Sequence, residues 1–217
     1  MKLLAHRGFW KKKTDQNTLK AFRIAIDKGF GIELDIRDYN GNIIVSHDPF
    51  IGDKPLFFED FIKHFHLQLE NVCLALNIKS DGLASKLIQL IDFRNYANIF
   101  CFDMSIPQYK EYETKGINVG HRLSEIEDLS LFDKSPKVVW IDSFDQVWYS
   151  EHDIIKLLND NSKLCFVSEE LHGRNPEYQW ELLKKVYKKV SSKSDLKDKL
   201  FLCTDYFDEA KGYFDDD

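Results

Sequence analysis

The sequence predicts an α/β protein built as a compact (β/α)8 TIM barrel. Three observations carry that expectation. Short apolar runs alternate with amphipathic stretches along the whole chain. With one hairpin arm set aside, eight strand-like runs remain, most followed by a helix or a short substitute. No Pro/Gly/Ser-rich linker or low-complexity block interrupts them, so residues 1–217 read as a single domain. Alternating β and α elements imply a parallel sheet with right-handed crossovers. Eight such units in 217 residues fit a barrel near its lower size limit. The competing architecture, a doubly wound open sheet, advertises a Gly-rich phosphate turn after its first strand, and here that turn reads "HRGFW".

The elements follow in order. Residues 2–6 form the first apolar run. "NTLKAFRIAIDKG" repeats Leu19, Phe22, Ala25 and Ile26 at helical spacing, with Gly29 placed as its stop. The second run, 31–37, alternates Ile32, Leu34 and Ile36 with Glu33, Asp35 and Arg37, so the charged side chains share one face. Residues 42–47 return as the second arm of a hairpin turned at "NGN". Further strands are expected at 72–79, 98–104, 117–120, 137–142, 163–168 and 200–204. A short, weak helical pattern covers 124–133. "SEHDIIKLLNDN" opens on a capping candidate, Ser150, and "NPEYQWELLKKVYKKV" carries a stripe through Trp180, Leu183 and Val186. "YFDDD" reads as a frayed acidic tail.

Composition narrows the function classes. The chain is 43% hydrophobic and 30% charged, which supports a packed core. A net charge of -6 argues against nucleic acid as a general partner, since that affinity comes mostly from neutralising phosphates. No apolar run approaches the roughly 18 residues of a membrane span, and "MKLLAHRG" is too short a stretch for a signal peptide. Cys73, Cys101, Cys165 and Cys203 have neither metal-site nor redox-motif spacing and read as reduced thiols of a cytoplasmic protein. The oligomeric state leaves no mark in the sequence.

Four stretches carry candidate chemistry, each at an expected strand C-terminal end, where barrel active sites lie. "LLAHRGF" supplies His6 and Arg7, "IELDIRD" supplies Glu33 and Asp35, "NIIVSHDPF" supplies His47 and Asp48, and "LALNIKSD" supplies Asn77 and Lys79. Two imidazoles can serve as base and acid near neutral pH. Two carboxylates one strand period apart can chelate a hard divalent cation. Arg7 and Lys79 can hold an anion. Packed inside a barrel, Glu33, Asp35 and Arg37 need partners or a metal. The plain structural alternative is that Glu33 and Asp35 pair with Arg37 and Lys79.

Taken together, "AHRG", "QNTLKAF" and "GIELDIRDYNGNIIVSHDP" resemble the opening of the glycerophosphodiester phosphodiesterases, within the superfamily that also holds phosphatidylinositol phospholipases C and sphingomyelinase D-like lyases. "LNIK" resembles that family's third-strand motif and "LFLCTDYFDEAK" its last strand; the likeness is concentrated in residues 3–48. It implies that His6 and His47 are the acid/base pair, with His6 the base. It further implies that Glu33, Asp35 and Asn77 hold one Mg²⁺ or Ca²⁺, and that Arg7 and Lys79 contact the phosphate. In this family a neighbouring hydroxyl of the alcohol often attacks first and gives a cyclic phosphate.

The chain departs from the family at defined places. Asn77 stands where a third acidic ligand is usual, and Gln16 replaces the Glu of "ENT". Only about two dozen residues separate His47 from the third barrel strand, where the family often carries an insertion. "CFVSEELHGR" replaces the usual seventh-strand run, and its Glu169, Glu170, His172 and Arg174 are either substrate contacts or a solvated loop. Lys11, Lys12 and Lys13 read as a solvated run. Trp10, Phe50, Phe57 and Phe58 read as packing, and His64 and His66 receive no role. The expectation is a metal-dependent phosphodiesterase for a small or medium phosphodiester with a hydroxyl vicinal to the phosphate, glycerol- or sugar-linked phosphates leading. The alternatives are a catalytically silent phosphate-ester-binding barrel and a lyase that releases the cyclic phosphate.

Overall fold

The computed structural model describes residues 1–128, 136–160, 162–192 and 194–215. They pack as two compact units, Ala5–Val119 on one hand and Met1–Leu4 with Gly120–Asp217 on the other. Strand and helix alternate through both, as the pattern of apolar runs requires.

β1 (Lys2–His6) enters the first unit at Ala5 and leads into α1 (Leu19–Asp27), followed by β2 (Gly31–Tyr39) and β3 (Asn42–Val45). Then come α2 (Phe58–Phe65), β4 (Leu74–Ile78), α3 (Ala84–Leu90), β5 (Ile99–Phe102) and α4 (Ile106–Thr114). β2, β4 and β5 pair in parallel, and β3 folds back antiparallel on β2 through Asn40 and Gly41. Both turn residues have positive φ, 47° and 74°, as a tight hairpin demands. α1 is capped by the Thr18 hydroxyl, which accepts from the Ala21 N–H at 3.2 Å. β2 is buried on both faces. Ile32, Leu34 and Ile36 fill the apolar side, where Phe22, Phe58, Phe61 and Phe65 are fully buried too. Phe22 and Phe61 meet edge to face at 5.1 Å between ring centroids. α2 is a helix that the sequence reading leaves unassigned, although Phe58, Phe61 and Phe65 stand at helical spacing and are all buried. Trp10 and Phe50 are half-buried, as packing residues, and Lys11, Lys12 and Lys13 are exposed.

The second unit holds β6 (Gly120–Leu123), β7 (Val138–Ile141), α5 (Glu151–Asn159), β8 (Lys163–Val167), α6 (Glu177–Val190), α7 (Ser194–Lys197), β9 (Leu200–Thr204) and α8 (Phe207–Asp215). β6, β7, β8 and β9 pair in parallel in that order. A core of Val139, Ile141, Ile154, Leu158, Leu164, Phe166, Leu183 and Val186 joins strands to helices. Ser150 caps α5 in a full capping box with Asp153.

Two boundary expectations are corrected. The strand expected at 117–120 runs instead over Gly120–Leu123. Ile117 closes α4 by donating its N–H to the Tyr112 carbonyl at 3.0 Å, and the polar pair His121 and Arg122 conceals the strand that follows. The tail is not frayed through "YFD": α8 continues to Asp215 and buries Phe214, while residues 216–217 lie outside the described residues. The segment expected at 124–133 falls partly outside them too, from residue 129 on. No helix among the described residues is long and apolar enough to cross a membrane.

Candidate active site

β1 ends at His6 and the chain turns at once. Arg7 takes a left-handed φ of 58° and Gly8 one of 85°. Gly8 is required there, because a Cβ would lie 2.9 Å from the Ala21 backbone carbon in α1. The turn is pinned on both sides. The Arg7 N–H donates to the Glu33 carbonyl at 2.9 Å and the Phe9 N–H to the Ala21 carbonyl at 3.0 Å. The Arg7 N–H also reaches Glu33 Oε2 at 3.2 Å. Trp10 Nε1 donates to the His6 carbonyl at 3.0 Å, holding the strand end. Thus "HRG" is a turn that brings Arg7 to the carboxylates of β2.

Glu33 and Asp35 share the second face of β2 and are 1% and 0% exposed. Parallel pairing sets Asp35 opposite Asn77 on β4. Two groups converge on Asp35 Oδ2. Asn17 Nδ2 donates to it at 2.9 Å. Arg7 Nε lies 2.9 Å away, but its N–H is not aimed along that line, so the contact is an ion pair without a hydrogen bond. Lys79 Nζ approaches the other oxygen, Oδ1, at 3.6 Å. Asp35 Oδ1 and Asn77 Oδ1 are both buried acceptors that receive no hydrogen bond among the described residues. Arg7 Nη1 also contacts Gln16 Oε1 at 3.5 Å. Glu33 and Asp35 share one buried face, and the cations beside Asp35 are Arg7 and Lys79. Arg37 sits apart, donating from Nη1 to the His47 carbonyl at 3.0 Å.

Two buried carboxylates on one strand face resist ionising together. Burial, and then the Asp35 charge, push the Glu33 carboxyl up from 4.5 to about 7, against the lowering pull of His6, Arg7 and Lys79. The pull of His6 places its imidazole within electrostatic reach of Glu33.

His47 arrives by the hairpin. After β3 the Ser46 N–H donates to the Asp35 carbonyl at 3.0 Å, which brings the chain back to the level of the carboxylate. The His47 side chain is 41% exposed, and its Nδ1 lies 2.9 Å from Asp48 Oδ1. The first unit therefore gathers His6 and Arg7 at the end of β1, Asn77 and Lys79 at the end of β4, and Glu33 and Asp35 midway along β2, with His47 on the segment returning beside Asp35.

Among the described residues, no group of three or more His, Cys, Asp and Glu side chains is placed to hold a metal ion. The donor set on β2 and β4 is two carboxylates and a carboxamide. Its two buried oxygens without donors suit the oxygen preference of a hard divalent cation, so these residues fit such an ion.

The polar run in the second unit is a closed network. Arg174 grips Glu169 with Nε at 2.7 Å and Nη2 at 3.0 Å, and donates from Nη1 to the Phe144 carbonyl at 2.8 Å. Glu170 accepts from the Asp205 N–H at 3.0 Å, and His172 Nε2 meets Asp142 Oδ1 at 2.7 Å. Sequence reasoning misses Asn17. It is visible inside "QNT", but a lone loop Asn carries no signal until its partner is known.

The sequence matches no protein-family model and no curated protein. Solved structures share its fold. A Galdieria sulphuraria protein assigned as a glycerophosphodiester phosphodiesterase is similar at a TM-score of 0.72 and 14% identity, over 99% of this chain and 97% of its own. The glycerophosphodiester phosphodiesterase of Agrobacterium tumefaciens gives 0.62 at 13% identity, covering 94% and 96%. A Ca²⁺-dependent phosphatidylinositol-specific phospholipase C from Streptomyces antibioticus gives 0.55 at 11% identity, covering 98% and 95%. The likeness shows the fold, a (β/α)8 barrel. Two of these neighbours bear the name of the family that residues 3–48 resemble, and the third that of its wider superfamily.

Proposed function

We propose that the protein is a phosphoric diester hydrolase acting on a glycerol- or sugar-linked phosphodiester. In this reading Glu33, Asp35 and Asn77 hold one Mg²⁺ or Ca²⁺, and His6 and His47 form the acid/base pair. The observation that carries the reading is the convergence of Arg7 and Lys79 on one fully buried carboxylate, Asp35, beside the strand end that bears His6. A phosphodiester brings one negative charge, and these two cations are the groups that would receive it. A bound divalent cation supplies charge neutralisation at the phosphate.

The chain's own residues then divide the work. Arg7 and Lys79 orient the phosphate. His6 takes the proton of the attacking hydroxyl, a neighbour of the phosphate on the alcohol. His47, with Nδ1 turned to Asp48, returns a proton from Nε2 to the leaving oxygen. The P–O bond to the leaving alcohol breaks as the bond to the neighbouring hydroxyl forms, and water later opens the cyclic phosphate. The four cysteines have neither metal-site nor redox-motif spacing, and three of them are buried, which supports a cytoplasmic setting.

The amides at Asn77 and Gln16 favour one alternative, a barrel that binds phosphate esters without turning them over. Release of free alcohol from a panel of glycerol- and sugar-linked phosphodiesters, with Mg²⁺ or Ca²⁺ supplied, separates the two. Turnover lost in Arg7→Ala is expected. Saturable binding with no turnover of any member favours the silent barrel.

A further inference from the structure

Asn17 has a backbone and a side chain committed to this site. Its φ is 55°, a left-handed conformation that Asn tolerates better than most residues. Its N–H donates to the Arg7 carbonyl at 2.9 Å, tying it to the turn after β1. Its carboxamide addresses Asp35 twice. Nδ2 donates to Asp35 Oδ2 at 2.9 Å, and Oδ1 accepts from the Asp35 backbone N–H at 3.4 Å. Gripping one residue from both its backbone and its side chain leaves the carboxylate little rotational freedom. A carboxylate that only needed neutralising would turn both oxygens to donors. Here Oδ2 is shared by Asn17 and Arg7, and Oδ1 is left buried without a hydrogen bond, 3.6 Å from Lys79 Nζ.

We propose that Asn17 is a positioning residue: its carboxamide locks the Asp35 carboxylate by Oδ2 so that Oδ1 stands bare for the cation. The inference rests on the cation-dependent reading above and deepens it. Asn17 touches neither substrate nor cation and acts only through Asp35, as hydrogen-bonded supports of metal-binding carboxylates do.

The test uses Asn17→Gly, which keeps the left-handed backbone accessible and removes only the carboxamide. Asn17→Asp is the second variant, because it also tolerates this φ and replaces the donor with an acceptor. Mn²⁺ alone is the binding probe, followed by its spin resonance signal, and kcat and KM are measured on a turned-over phosphodiester. Losing such a support typically costs about 10- to 100-fold in metal affinity or activity. Asn17→Gly should lose Mn²⁺ affinity in that range and lower kcat with little change in KM, while its far-UV dichroism stays that of the wild type. A crystal structure of either variant should show the Asp35 carboxylate rotated from its native setting. Wild-type Mn²⁺ affinity and kcat in a folded Asn17→Gly would overturn the inference. If the wild type turns over no phosphodiester, the functional reading fails first. The carboxylate's setting in the variant crystal then decides the positioning role alone, an unmoved Asp35 overturning it.

Discussion

Replacing Glu33 by Gln removes a buried charge and keeps the side-chain shape. The Glu33 carboxyl titrates at about 7 in the folded protein, against an ordinary 4.5, because burial and Asp35 oppose its charge. The folded state therefore holds this proton more tightly than the unfolded chain. Below pH 4.5 both states are protonated and the residue costs nothing. Between 4.5 and about 7 the unfolded chain ionises first, so stability falls as pH rises, and above 7 the loss is complete. At about 1.4 kcal/mol per pH unit, the full loss is on the order of 3 kcal/mol. Urea unfolding in the presence of a chelator, at pH 5, 6 and 8, measures it. Glu33→Gln should gain on the wild type as pH rises, reaching a few kcal/mol at pH 8. Adding a divalent cation should narrow the gap, because only the carboxylate binds it well. A difference that stays flat from pH 5 to 8 would refute the reasoning, for it would mean that Arg7 and Lys79 already satisfy both carboxylates.

Other perturbations follow from the same geometry. Asn77→Glu should tighten Mg²⁺ or Ca²⁺ binding in calorimetry, since a charged oxygen replaces a neutral one; unchanged affinity in a folded variant would remove Asn77 from the cation's ligands. His6→Ala and His47→Ala should each lower kcat by about 10²–10⁴-fold, and together by less than the product. A nitrophenyl ester should rescue whichever His is the acid, so rescue of His6→Ala alone would reverse the assignment. Gly8→Ala should destabilise the protein by roughly 2 kcal/mol or more, from the left-handed φ and the contact with Ala21. A thermal midpoint equal to the wild type's would show that α1 moves aside freely.

Much of this arrangement is legible in the amino-acid sequence, for identifiable physical reasons. Period-2 alternation at Glu33 and Asp35 is preserved because Ile32, Leu34 and Ile36 occupy the opposite face, all fully buried. The Ser150 cap and the Trp180, Leu183, Val186 stripe are local signals, and local chemistry decides them. The β6 boundary is misread from sequence because Ile117 serves the end of α4 while buried His121 hides a strand behind a polar letter. The His172–Asp142 contact is illegible as such, since partners 30 residues apart meet only through the fold. Asn17 and Asp35 are 18 apart and escape notice for the same reason.

The central claim is that this cluster on β1, β2 and β4 cleaves a phosphodiester. Phosphorus NMR of a glycerol-linked diester, incubated with Mg²⁺ or Ca²⁺ and either wild type or His6→Ala, tests it most directly. In the wild-type sample the diester resonance should give way to a monoester, with a cyclic phosphate passing through or accumulating. In the His6→Ala sample it should persist. A diester untouched by the wild type, or consumed equally by both proteins, would contradict the account.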